Sequence, residues 1–259
     1  MQEKQKQLRQ AKTLENVYNS AYWHLSQQDY TQAEMLQKLN RKTENQAWID
    51  TVMADLIGKN YIKNDFDFAL RYAESAFSNE TGRIAIQYKL QKRGISEHDA
   101  INAIEQVLVE YNFDLYAMAS ARLQRVFESF NNTTKEKLYS QMTNKGFSRS
   151  EIEFAIATHP AKKTLKTQLE VKADKADLSA EIMKLYRKGK GKKLIKNELR
   201  TRLIKLDDCD ETLCQLELSG EIDFYQSCQA QLDKKSYDLN DHKDKNKAYA
   251  YLARKGFES

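Results

Sequence analysis

Leu90-Gln91-Lys92-Arg93-Gly94-Ile95-Ser96 returns as Met142-Thr143-Asn144-Lys145-Gly146-Phe147-Ser148, and again as Leu252-Ala253-Arg254-Lys255-Gly256-Phe257-Glu258. In each copy an apolar residue is followed four positions later by Gly and then by an apolar side chain. The pattern describes a helix end. Basic residues in a last turn suit the negative pole of the helix dipole. Glycine just past the helix takes the left-handed conformation without a Cβ penalty, and the next apolar residue packs back. Ser96 and Ser148 stand where a following helix needs its N-cap. Apolar faces resume at Ile101 and Ile152.

Two further copies are degenerate. Leu39 stands four residues before Thr43, with the apolar face resuming at Ile49. Leu199-Arg200-Thr201-Arg202-Leu203-Ile204 aligns with Leu90 to Ile95, Leu203 replacing Gly, and Gly82 and Gly191 each lie eight residues before the aligned leucine. Between these signals the apolar spacing is helical. Trp48, Ile49, Val52, Met53, Leu56 and Ile57 share one face; Ile101, Ile104, Val107 and Leu108 share another; Val17, Ala21 and Leu25 mark an earlier one. A period of this length predicts an all-α chain of tandem three-helix repeats forming an elongated array. The expected modules are 14–62, 63–111 and 112–158, a polar and partly helical connector at 159–177, a fourth module at 178–232 and a partial fifth at 233–259 that lacks its last helix. Spacing alone leaves a generic helical solenoid open.

Composition agrees. Among 259 residues, 41% are hydrophobic and 31% charged, while Gly numbers only 8 and Pro 1. Sheets and their turns need more of both. The three cysteines, Cys209, Cys214 and Cys228, lack ligand or disulfide-framework spacing, and Cys214 is expected as a small packing residue. Met1 to Arg9 is polar with no apolar run of a signal sequence, and no stretch reaches the apolar length of a membrane span, so a cytoplasmic protein without membrane association is expected. The net charge of +5 permits an acidic partner and equally an ordinary soluble surface.

In combination, several stretches resemble the RecX family. Tyr61-Ile62-Lys63-Asn64-Asp65 followed by Phe68-Ala69 is similar to that family's junction between first and second modules. Gly82 leading to Leu90 and then to Arg93-Gly94-Ile95-Ser96 is a second point of likeness, and Tyr251-Leu252-Ala253-Arg254-Lys255-Gly256-Phe257 resembles the family's third-module helix end. The module order is complete over 18–158, and the tail resembles a second module and part of a third. The chain departs from the pattern at Thr43 and Leu203, where glycine is usual, and residues 1–14 show no likeness. The resemblance implies a curved array of three-helix units that lodges in the groove of a RecA-type recombinase filament on DNA and inhibits or modulates its activity in recombination, DNA repair and the SOS response. It also implies no cofactor and no catalysis.

The residues themselves add a charge block. From Lys184 to Lys205 there are ten basic residues and one acid, Glu198, followed from Asp207 to Asp223 by acids alone. Lys188, Lys190, Lys192, Lys193, Lys196, Arg200 and Arg202 are candidate contacts to DNA or filament, and Gly189 and Gly191 would let the backbone approach phosphates. The plainer reading is a solvated surface balanced in space by the acidic run. In the front modules Arg71, Arg83, Lys89, Lys92, Arg93, Arg122 and Arg125 are the corresponding candidates for a concave face. Tyr61, Tyr72, Tyr88, Tyr111 and Tyr116 suit base stacking, but more readily the packing of helix seams.

No pattern supports an enzyme. Gly191-Lys192-Lys193 lacks the Ser or Thr and the upstream Gly of a phosphate loop. His24, His98, His159 and His242 are scattered. Glu97 and Asp99 suit a helix start, and Asp65 with Asp67 suits a turn and N-cap. The expected function is a non-catalytic, monomeric regulator of recombinase filaments that also touches single- or double-stranded DNA without sequence preference. Alternatives are a general DNA-binding helical protein acting without recombinase, and a helical scaffold for another acidic protein.

Overall fold

The computed structural model describes residues 10–257. The readings made above for Met1 to Arg9 and for Glu258 lie outside the described residues. The chain is all-α, with no strand among the described residues. It divides into two compact units. One runs to Phe130 and takes in Lys137–Lys163; the other comprises Asn131–Glu136 and the chain from Thr164 on.

The first unit carries α1 (Leu14–Leu25), α2 (Gln32–Lys42), α3 (Gln46–Gly58), α4 (Asp65–Ser78), α5 (Arg83–Lys92), α6 (Glu97–Glu110), α7 (Leu115–Val126), most of α8 (Lys135–Asn144) and α9 (Arg149–Thr158). A 3₁₀ turn at Lys162–Thr164 follows. The second unit carries α10 (Gln168–Asp174), α11 (Leu178–Tyr186), α12 (Lys192–Thr201), α13 (Cys209–Leu218), α14 (Phe224–Asp233) and α15 (His242–Lys255).

The apolar spacings become three small cores. Val17 and Ala21 of α1 meet Met35 and Leu39 of α2 and Ile49, Val52 and Leu56 of α3, with Ile62 closing the set. Phe68, Ala69, Ala73 and Phe77 of α4 meet Ile86 and Leu90 of α5 and Ala100, Ala103, Ile104 and Val107 of α6. Ile182 and Leu185 of α11 meet Ile195 and Leu199 of α12 and Cys209, Leu213 and Leu216 of α13. Cys209, not Cys214, takes the buried place on α13; Cys214 is exposed because it stands one residue beyond Leu213 and so off the 209–213–216 face. Helix α14 runs across position 232 and packs against α15.

The helix ends have the geometry that the repeated heptads require. Gly94, Gly146 and Gly256 adopt φ of 88°, 95° and 84°. Ile95, Phe147 and Phe257 donate their N–H groups back to the carbonyls of Leu90, Met142 and Leu252 at 3.1–3.2 Å. These are the bonds that satisfy orphan carbonyls in a Schellman end. Ser96 caps α6 through the amide of Asp99, and Ser148 forms a capping box with Glu151 on α9. The turn at Leu203 has the same form: Leu203 donates to the Arg200 carbonyl and Ile204 to the Leu199 carbonyl, each at 3.0 Å, while Leu203 holds φ of 61°. Thr43 does not: it ends α2 in extended conformation, φ −156°.

These ends also join one helix group to the next. Gly82, the N-cap of α5, donates to the carbonyl of Lys145 at 2.9 Å, and Ile84 donates to that of Gly146 at 3.2 Å. In the second unit Gly191 donates to Lys255 at 2.7 Å, and Lys193 donates to Gly256 at 3.1 Å. A Cβ on Gly82 would lie 2.2 Å from the Gly146 oxygen, and one on Gly191 would lie 2.4 Å from that of Gly256. Backbone meets backbone at both places, so no side chain fits. The α2–α5 junction uses Thr31 instead: its hydroxyl donates to the Arg93 carbonyl at 2.7 Å, and Ala33 lies under Gly94.

Candidate nucleic-acid and filament interface

The basic block is partly neutralised within its own unit. Glu198 pairs with both Lys190 and Arg202, and Arg202 also reaches Glu181 at 2.5 Å. Lys184 bonds Glu181 at 3.2 Å, Lys196 pairs with Asp210, and Lys192 stands 3.9 Å from Glu217. Two of these partners, Asp210 and Glu217, come from the acidic run. Lys188, Lys193 and Arg200 remain exposed and make no ion pair among the described residues. The glycines of this block differ from the open loop expected of them. Both are buried, Gly189 against the Gln231 side chain and Gly191 against Gly256. Backbone approach to a phosphate at either glycine is therefore closed, and only the flanking side chains face solvent.

In the first unit Arg71 lies on α4, and Arg83, Lys89 and Lys92 lie on α5. All four are exposed and make no ion pair among the described residues. Arg93 is committed to structure: it is half-buried, bonds both carboxylate oxygens of Glu34 at 2.8 Å, donates to the Asp29 carbonyl at 2.7 Å and lies 4.5 Å from the Phe68 ring centroid. Burial alone would raise the Glu34 carboxyl, but the Arg93 and Thr31 hydrogen bonds hold it below its ordinary range. Arg122 and Arg125 of α7 both reach Glu80, Arg122 at 3.3 Å.

The structure adds a cation that sequence reasoning passed over. Lys145, whose carbonyl receives Gly82, has its ammonium pushed down by burial and then by Arg122 and Lys89, with Glu80 opposing. Lys89 stands one turn beyond Ala85, the residue against which Gly146 packs. Arg122 and Arg125 of α7 thus share Glu80, and Lys145 at the end of α8 lies near enough to them and to Lys89 of α5 for their charges to act on its ammonium. Such a cluster favours an anion, because an arriving negative charge relieves cation–cation repulsion. The available signal was the equivalence of Lys145 with Arg93 and Lys255, each preceding the glycine of its heptad.

Of the tyrosines, Tyr72 stacks with Phe68, Tyr111 with Phe113, and Tyr116 meets Phe154 edge-on, as helix-seam residues do. Tyr61 and Tyr88 stay 57% and 63% exposed, more than seam packing leaves open. Among the described residues no three His, Cys, Asp or Glu side chains are grouped to hold a metal ion, and no helix is long and apolar enough to cross a membrane.

No family model matches the chain. Three regulatory proteins RecX are similar to it. That of Photobacterium profundum is 32% identical over 94 residues, 36% of this chain and 35% of that protein. That of Bacillus cytotoxicus is 27% identical over 145 residues, 55% of this chain and 53% of that protein. That of Haemophilus influenzae is 28% identical over 132 residues, 49% of this chain and 84% of that protein. The chain thus matches about a third of the length of the first relative and about half of the second. Two crystal structures also align: a regulatory protein RecX (TM-score 0.44, 23% identity, 54% of this chain and 70% of that one) and RecX from Lactobacillus salivarius (TM-score 0.43, 24% identity, 56% and 94%).

Proposed function

We propose that this chain, which is related by sequence to the RecX family, is a non-catalytic regulator that binds RecA-type recombinase filaments on DNA and restrains them in recombination, repair and the SOS response. The observation that carries the reading is the match to 84% of the length of a regulatory protein RecX. The cations of the first unit support it. Arg71, Arg83, Lys89 and Lys92 make no ion pair among the described residues, and Lys145 lies near Arg122 and Arg125, which share one glutamate. Such groups neutralise phosphates or filament carboxylates without reading sequence. In the second unit the counterparts are Lys188, Lys193 and Arg200, which make no ion pair among the described residues. We further propose that this unit repeats the second and third modules, since Gly191 meets Gly256 as Gly82 meets Gly146.

The test is ATP hydrolysis by a RecA-type recombinase on single-stranded DNA, titrated with the protein at fixed salt. Inhibition well below one protein per recombinase subunit is expected of a filament regulator. Undiminished hydrolysis at saturating protein refutes the reading. The solvent-facing cations of the second unit favour a second reading, general DNA binding without recombinase; a DNA complex of equal stability with and without recombinase would select it.

A further inference from the structure

Between α1–α2 and α4 of the first unit lies a cleft of about 320 Å³, lined by Tyr30, Tyr61, Lys63, Phe68, Arg71, Tyr72 and Arg93 among others. Its chemistry is divided. The floor is Phe68 stacked on Tyr72, with the Arg93 guanidinium over Phe68 and already neutralised by Glu34. The walls are Tyr30 and Tyr61. The free cations at its edge, Lys63 and Arg71, make no ion pair among the described residues.

Tyr61 and Lys63 are held rigidly in this position. Asn60 turns the chain with φ of 59°, the amides of Tyr61 and Ile62 both return to the Leu56 carbonyl, and Ile62 is buried in the core. Alternation then sends Tyr61 and Lys63 to the side opposite Ile62. Tyr61 rests edge-on against Tyr22, with ring centroids 5.7 Å apart, and is 57% exposed. A ring held in a T-shaped contact and still more than half open to solvent serves as a stacking platform more readily than as a core residue.

We propose that this cleft is a subsite for one nucleotide of a single strand: the base enters against Tyr61 and the Tyr72–Phe68 pair, and the phosphate lies between Lys63 and Arg71. An aromatic floor beneath unpaired cations matches a planar base joined to an anion. A purely acidic side chain would satisfy the cations and leave the rings unused. The volume lies at the lower end of the range for small-ligand sites, which suits a single nucleotide and excludes a duplex. The proposal rests on the reading that the chain works on nucleic acid, and it locates where the chain itself would touch the strand.

The experiment measures binding of the intact chain, without recombinase, to a fluorescent oligothymidylate and to an abasic strand of equal length. Wild type is expected to prefer the base-bearing strand by about tenfold or more. Tyr61→Ala abolishes that preference without weakening abasic binding, and Tyr61→Phe retains it. Arg71→Ala weakens both strands and lowers the slope of log affinity against log salt by about 0.7, one single-strand phosphate. Equal wild-type affinity for the two strands, or unchanged oligothymidylate affinity in Tyr61→Ala, overturns the subsite. The recombinase assay separates the two proposals. Inhibition of hydrolysis with no base preference removes the subsite and leaves the regulator; a base preference with no inhibition does the reverse.

Discussion

Replacing Gly82 by alanine tests the contact on which consecutive helix groups are joined. Gly82 has φ of −72°, so alanine strains no backbone there and the effect reports the contact alone. The new methyl would sit 2.2 Å from the Gly146 oxygen, 2.3 Å from its carbonyl carbon and 2.6 Å from the Phe147 nitrogen. All three are backbone atoms and cannot swing aside, so the α5 N-terminus and the Gly146 turn must part. Parting removes the Gly82–Lys145 and Ile84–Gly146 hydrogen bonds. Two bonds at about 0.5–1.5 kcal/mol each, with an overpacking cost of about 1–3 kcal/mol, give a loss of about 2–6 kcal/mol. Urea unfolding followed by far-ultraviolet dichroism measures it, with native-state hydrogen exchange at Ile84 locating it. Gly58→Ala is the control: its Cβ meets nothing within 4 Å, and alanine at the end of α3 should be neutral or stabilise by up to about 1 kcal/mol. If Gly82→Ala unfolds within about 0.5 kcal/mol of wild type, a margin typical of inconsequential surface changes, the two groups are not joined through this contact.

Two further substitutions probe other steps of the reasoning. Arg93→Ala should cost about 2 kcal/mol at neutral pH, from half-buried charged hydrogen bonds to Glu34 and the contact with Phe68. The Glu34 carboxyl is depressed in the fold, so its share of stability is complete above the unfolded carboxyl range and disappears as pH falls below about 4.5; the gap between wild type and Arg93→Ala in urea midpoint must narrow from pH 7 to pH 3, and a constant gap refutes the ion-pair account. Leu203→Gly should stabilise by up to about 1 kcal/mol, because left-handed leucine costs about 1–2 kcal/mol and glycine returns about 0.5–1 kcal/mol of that as unfolded-state entropy. The Leu203 side chain is half exposed, so a lower thermal midpoint in that variant would mean it packs more than its exposure indicates.

The elements legible in the sequence were those set by local rules. A heptad ending in Gly-Ile-Ser or Gly-Phe-Ser carries its own helix end, αL residue and next N-cap, and Gly94, Gly146, Ser96 and Ser148 take those roles. Thr31 was missed as the equivalent of Gly82 and Gly191, although it too lies eight residues before the heptad leucine, Leu39. The junction needs a donor to the C-cap carbonyl there, and a threonine hydroxyl serves as well as an amide, so identity was the wrong criterion. The candidate interface was less legible because charge is settled in three dimensions. Lys196 looks like part of a bare basic run until α13 brings Asp210 to it, and Arg93 looks like a surface arginine until α2 brings Glu34. The exposed platform at Tyr61 was hidden for a similar reason: a tyrosine in a helical pattern reads as seam packing until the turn at Asn60 sends it outward.

Glycine and its replacement at the heptad's fifth position follow from what lies opposite. A Cβ on Gly94 would meet Ala33, one on Gly146 would meet Ala85, and one on Gly256 would meet Leu194, each within 2.5 Å. At those three ends glycine answers two demands together, positive φ and an adjoining helix. Leu203 meets only the first: it holds φ of 61° with both Schellman bonds intact, yet its side chain stands half in solvent. Left-handed backbone alone is a penalty of about 1–2 kcal/mol that a chain tolerates, whereas a methyl driven into the Cβ or backbone of an adjoining helix is not accommodated without separation. Glycine in this heptad therefore marks a helix end pressed against an earlier helix, and its loss at Leu203 marks an end that is not. The same logic explains Thr43, which ends α2 in an extended conformation and needs no glycine at all.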